Sequence, residues 1–190
     1  FPWIGLLEQI RCADVFVFYD DVQFSRGFIN RVQIKKQDGV RWLTVPTKKF
    51  HQVSKINEII LDNSMDWKKQ HLNYFKNFYN KSEYLNDALK LIDEVFSYRL
   101  SFLSDIGIYS TKALARYYGL DGNVKFYKSS DLNISGSSSK RLRDISAYFK
   151  CKNYISGHGA LNYLDISIFE KSNIDVRIMD YQKKKYSQQY

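Results

Sequence analysis

The strongest constraint on the fold is a change of rhythm along the chain: strand-like apolar runs near both ends flank a long block of helical periodicity. The first run, Asp14-Val-Phe-Val-Phe-Tyr19, is continuously apolar and bounded by Asp14 and by Asp20-Asp21, the pattern of a strand covered on both faces. A helix-spaced segment, residues 4–13, precedes it. Towards the other end, strands are predicted over 124–127, 154–156 and 176–180. They alternate with helices over 140–149 and 160–171, with Gly157-His-Gly159 as a tight turn. Alternation of this kind predicts an α/β fold with a mostly parallel sheet in a three-layer arrangement. Residues 31–36 and 42–46 flank Asp38-Gly39 and predict a β-hairpin; residues 56–61 read as a further strand. Ser64 is the expected N-cap of a helix carrying Trp67, Leu72, Phe75 and Phe78, and helices over 84–98 and 102–118 continue to Gly119. The reading is one α/β domain over residues 1–190, with the helical segment of about 64–118 as an insertion or flank.

Composition narrows the class. The chain holds 29 Lys and Arg against 20 Asp and Glu, a net charge of +9. Basic residues are spread out rather than clustered, through Lys35, Lys36 and Arg41 to Lys140, Arg141 and the run Lys183 to Lys185. That balance fits a phosphorylated small molecule, a nucleic acid or an anionic membrane surface. No stretch approaches the roughly 20 apolar residues of a membrane span. Two cysteines, Cys12 and Cys151, suggest buried free thiols in a reducing compartment, so a cytoplasmic location is expected.

Two polar loops fall where ligands sit in parallel sheets, outside the carboxyl ends of strands and at helix N-termini. Ser135-Gly-Ser-Ser-Ser-Lys140-Arg141 brings hydroxyls, a flexible Gly136 and two cations to a helix start. Ser156-Gly157-His158-Gly159 follows a strand. Neither has P-loop or dinucleotide-fingerprint spacing, and Ser and Gly also make ordinary caps and turns. Ser135, Gly136, Lys140, Arg141, Ser156 and Gly157 are therefore candidate phosphate ligands. Asp20 and Asp21 close the first strand, where carboxylates bind ribose hydroxyls, a metal or an amine, and Gln23, Asn30 and Arg31 follow, the last able to grip an anion with its fork. His158, between two glycines, is the best acid/base candidate of the three histidines. No His/Cys/acid spacing predicts a resident metal.

Longer stretches carry a resemblance. Phe-Pro-Trp-Ile-Gly5, Ala13-Asp-Val-Phe-Val-Phe-Tyr-Asp-Asp-Val-Gln-Phe24, Asn30-Arg31, Trp42-Leu-Thr-Val-Pro46 and Ile56-Asn-Glu-Ile59 resemble the WbqC-like family. So do Trp67 with His71, Ser130-x-Leu-x-Ile-Ser-Gly136, Arg141-Leu142, Tyr154-Ile-Ser-Gly157 and Tyr163-Leu-Asp165, in order along nearly the whole chain. The family has further sequence beyond both ends, so both termini look trimmed. The resemblance implies a bacterial protein of surface-polysaccharide (O-antigen) biosynthesis. It adds His71, Tyr163 and Asp165 to Gln23, Asn30 and Arg31 as substrate-binding candidates, beside Asp20 and Asp21, whereas His158 departs from the family pattern.

The expectation that follows is a transferase-type enzyme that attaches or modifies a substituent on a nucleotide-linked amino sugar, with magnesium as a possible companion of the phosphates. Asp20, Asp21 and His158 would be catalytic. Two other readings remain open at this stage. One is a non-catalytic carrier for an RNA-linked or polymer-linked substrate. The other is a structural subunit that docks other polysaccharide-biosynthesis enzymes through the aromatic helix at 67–79.

Overall fold

The computed structural model describes residues 1–25, 27–182 and 185–189; Lys183 and Lys184 of the terminal basic run lie outside the described residues. In chain order the elements are α1 (Ile4–Arg11), β1 (Val15–Phe18), β2 (Arg31–Lys36), β3 (Gly39–Thr44), α2 (Trp67–Phe78), α3 (Leu85–Ser97) and α4 (Leu103–Tyr117). Then follow β4 (Lys125–Lys128), α5 (Ser138–Tyr148), β5 (Asn153–Gly157), the single turn α6 (Ser167–Glu170) and β6 (Asp175–Met179). The chain is α/β, with parallel strand pairs, a hairpin and a central run of helices. Parallel pairing is distributed over two two-stranded sheets, β1–β4 and β5–β6. No helix among the described residues is long and apolar enough to cross a membrane.

Two compact units divide the chain. The first comprises residues 1–2, 20–117 and 185–189. Its core is Ile59, Leu61, Trp67, Val95, Leu100, Leu103, Ile106 and Ala113. α2 begins where the Asp66 carboxylate accepts the Lys69 amide (3.1 Å), so the cap is Asp66 rather than the expected Ser64. α4 is held at its start by Asp105, whose Oδ2 accepts both the Ser101 (2.9 Å) and Phe102 (2.8 Å) amides. Two-residue closure places Gln37-Asp38 in the hairpin turn and starts β3 at Gly39, whose φ of +132° suits glycine.

The strand expected over 56–61 is not a ladder. A 3-10 turn, Ile56–Glu58, leads into an extended stretch whose hydrogen bonds are split between two neighbours. The Ile60 carbonyl accepts Lys48 N (2.9 Å), Leu61 N donates to the Ser101 carbonyl (2.9 Å), and the Ile59 carbonyl accepts Leu103 N (2.8 Å). Alternation survives, with Ile59 and Leu61 buried and Ile60 outward, but only single bridges form.

The second unit comprises residues 3–19 and 118–182. β1 pairs in parallel with β4 from Val15↔Lys125 to Phe18↔Lys128, and the Phe18 and Phe126 rings stack at 5.8 Å. β1 is half-buried along its length rather than covered on both faces. β5 pairs in parallel with β6 from Asn153↔Asp175 to Gly157↔Met179. Ala160, Leu164, Phe169 and Ile174 form the core beside them, with Leu142, Tyr154 and Val176 packed on it. The helix expected over 160–171 is instead a 3-10 turn, His158–Asn162, and the short α6. Asp165 interrupts it: its Oδ1 accepts the Ser167 amide (3.1 Å) and hydroxyl (2.7 Å), which restarts the helix two residues later. Gly5 is buried beneath the Trp3 indole, and a Cβ there would lie 1.9 Å from the ring.

Candidate functional site

The second unit gathers polar groups at the ends of its parallel strands. Tyr19 directly follows β1, and the Arg141 guanidinium lies over its ring at 5.1 Å to the centroid. Arg141 stands in the first turns of α5 and is only 6% exposed. Its Nε donates to the Ile134 carbonyl (2.8 Å), a bond that fastens the cation to the loop before the helix. That loop needs unusual backbone: Asn133, Gly136 and Ser138 have φ of +54°, +112° and +52°. At Gly136 an L side chain would be strained even though the nearest atom to an added Cβ, on Arg141, is 3.7 Å away.

β5 supplies the other side. Strand periodicity puts Tyr154 and Ser156 on one face, where the Tyr154 ring stacks on Phe169 at 4.9 Å. Burial pushes the Tyr154 phenol up to about 12; a hydrogen bond with Ser156 opposes the shift, and the phenols of Tyr163 and Tyr19 reinforce it. Tyr154 is therefore a neutral hydroxyl at physiological pH. Ser156 is buried, and an added Cβ at Gly157 would sit 3.5 Å from Gln9 Nε2 of α1. Ser139, also buried, accepts the Asp165 amide on its Oγ (2.9 Å), tying α5 to the segment carrying Tyr163. The result is a web of Arg141, Tyr19, Tyr154, Ser156, Tyr163 and Ser139, a guanidinium and hydroxyl groups of the kinds that can donate to an oxyanion or phosphate.

Of the sequence candidates, Arg141, Ser156 and Tyr163 enter this web, with Gly157 at its edge. Ser135 and Gly136 lie in the loop that Arg141 anchors, and Lys140 is exposed on α5. Asp165 spends its carboxylate on the Ser167 turn and its amide on Ser139. His158 is exposed, its Nε2 3.8 Å from Asp180 Oδ1, a long surface contact worth little. Tyr19, Tyr154 and Ser139 were not singled out from sequence. Their signal was position: Tyr19 ends the first strand, and Tyr154 precedes Ser156 by one strand repeat.

The remaining candidates lie in the first unit. Asp20 is 6% exposed and its carbonyl accepts Asn57 N (3.0 Å); Asp21 is half-buried. Gln23 Nε2 donates to the Gln52 carbonyl (3.1 Å), and the Asn30 carbonyl accepts Val45 N (2.8 Å). Arg31 lies over the Trp42 indole at 4.7 Å. His71 is buried edge-on against Trp67 at 5.3 Å. Burial lowers its pKa, against a hydrogen bond with the Thr44 backbone, so it is a packed neutral imidazole. Among the described residues no group of three or more His, Cys, Asp or Glu could hold a metal ion.

The structure is that of an α/β chain with an arginine anchored at a helix start near tyrosine and serine hydroxyls. Family comparison makes the assignment specific: the WbqC-like protein family matches residues 1–190, and this chain belongs to it. It is 28% identical over 185 residues to a protein of Mycobacterium tuberculosis (strain ATCC 25618 / H37Rv) named "Uncharacterized protein Rv1507c", an alignment covering 95% of this chain and 78% of the relative. No solved structure matches the chain.

Proposed function

We propose that this protein is an enzyme of bacterial surface-polysaccharide biosynthesis that attaches or modifies a substituent on a nucleotide-linked amino sugar. The observation that carries the reading is Arg141, a buried guanidinium in the first turns of α5, fixed by its Nε bond to the Ile134 carbonyl and lying over the Tyr19 ring. A buried guanidinium of this kind is suited to a diphosphate, which its fork meets in two parallel bonds. Ser139, Ser156 and the neutral Tyr154 supply the shorter hydroxyl contacts, and the loop before α5, with positive φ at Asn133, Gly136 and Ser138, lends backbone amides. Lys140 and Ser135 are outer phosphate contacts. Asp20 is the first carboxylate to test for turnover, with Asp21 next, and magnesium is the natural companion of such a ligand.

Nucleoside-diphosphate sugars added to the purified protein should raise its melting temperature, with and without magnesium. Arg141→Lys keeps the charge but loses the fork and should weaken that ligand by about tenfold or more. Absence of a shift with every uridine and thymidine diphosphate sugar tried, in a protein that melts cooperatively, would overturn the reading. A steeply salt-dependent shift with a tRNA pool instead would favour a carrier of RNA-linked substrate.

A further inference from the structure

The anion-binding web makes no use of the β2–β3 hairpin, whose outward face has its own chemistry. Strand register sets Arg31, Gln33 and Lys35 across from Thr44, Trp42 and Val40, on the side opposite the buried Ile34 and Leu43. Phe28 is 72% exposed, Val40 59% and Trp42 39%. The Phe28 ring packs on Trp42 at 5.6 Å, and the Arg31 guanidinium lies over the indole. Charge here is one-sided. Seven of residues 27–55 are Lys or Arg and only Asp38 is acidic, and that carboxylate pairs with Lys36 in the turn.

We propose that this hairpin face docks the protein onto an anionic phospholipid surface. Exposed apolar tips interleaved with cations are the pattern of a surface that lies in the headgroup layer rather than spanning the bilayer. Phe28 and Val40 are the groups that enter the acyl boundary, Trp42 sits at headgroup level, and Arg31 and Lys35 meet phosphates. Nucleic acid is the other polyanion such charge could meet. A base-stacking platform, however, needs open ring faces. Here Arg31 lies over one face of Trp42, Phe28 flanks the same ring, and Val40 has no π face.

The test is sedimentation of the full chain with extruded vesicles, comparing pure phosphatidylcholine with mixtures containing about one-third phosphatidylglycerol at low ionic strength. Binding to the anionic vesicles alone, weakened by salt, is expected. Phe28→Ser and Val40→Ser change exposed side chains and should leave the melting temperature unchanged. The first should weaken vesicle binding by about tenfold or more, and Arg31→Glu by roughly fivefold or more. Failure to sediment with anionic vesicles, or Phe28→Ser binding as tightly as the parent, overturns the proposal. So does binding of a fluorescent oligouridine that vesicles do not compete and Phe28→Ser abolishes, which would make the face a nucleic-acid surface. Arg141→Lys should bind vesicles like the parent, so failure of this proposal and failure of the nucleotide-sugar reading are separable.

Discussion

Replacing Tyr154 with Phe removes one hydroxyl from the strand-end web and should reverse its effect on stability between neutral and alkaline pH. The phenol is raised from 10.0 to about 12 by burial against Phe169 and its neighbours. A raised folded pKa means that the folded state holds this proton more tightly than the unfolded chain does. The associated stability is fully present below pH 10 and is lost as pH climbs towards 12. At about 1.36 kcal/mol per unit, a shift of this size amounts to roughly 2.7 kcal/mol at completion, about half of it gone by about pH 11. Near neutrality Tyr154→Phe forfeits the hydrogen bond with Ser156, a loss of about 1 kcal/mol. The variant should therefore be the less stable protein at about pH 8 and match or exceed the parent by about pH 11. Urea unfolding at the two pH values measures both differences, and lysines and other tyrosines cancel in the comparison. Absorbance of ionised phenol should show one late-titrating tyrosine in the parent that is missing in the variant. A parent and variant that lose equal stability on going alkaline would refute a desolvated Tyr154.

Three other outcomes follow from the structure. His71 has its pKa lowered chiefly by burial, so stability should fall as pH drops through its unfolded value of 6.5, and His71→Gln should flatten that fall in acid-dependent urea midpoints. Asp105→Ala strips the acceptor from two backbone amides at the head of α4 and should cost about 1–2 kcal/mol in urea unfolding, with Asp105→Asn losing less. Gly5→Ala must swing the Trp3 indole away from Gly5 and from its edge contact with Tyr181 at 6.0 Å. Tryptophan emission should change, and the same substitution should be silent in a Trp3→Phe background.

Much of this architecture was legible in the sequence, because the elements rest on local signals. The helical spacing of Trp67, Leu72, Phe75 and Phe78 and the hairpin itself are written within a few residues, although the turn falls at Gln37-Asp38 and not at the expected Asp38-Gly39. Errors arose where long-range bonding decided. At 56–61 the apolar alternation was right, yet the strand's partners lie at 46–48 and 101–103, and no local pattern says that its hydrogen bonds divide between them. Over 160–171 the apolar spacing suited a helix, but Asp165 offered Ser167 a competing side-chain bond. Arg141's place at a helix start was readable from its loop, while its burial and its contact with Tyr19, 122 positions earlier, were not. Tyr154 was hidden because strand position alone does not reveal that its phenol is desolvated.

The pairing of β1 with β4 has a consequence for how the chain is made. Val15 emerges from the ribosome 110 positions before its partner Lys125. At about 5–20 residues per second, β1 waits roughly 5–20 s for a strand to pair with. Throughout that interval Val15-Phe-Val-Phe18 is an uncharged, aromatic, proline-free segment of high strand propensity with its edges open. Residues 20–117, by contrast, form a contiguous piece that can complete its core during synthesis. The nascent protein therefore depends on whatever shields its first strand, whether a chaperone, the ribosome surface or α1 folding back over it, and slowing translation between β1 and β4 should lower soluble yield more than slowing it after β6.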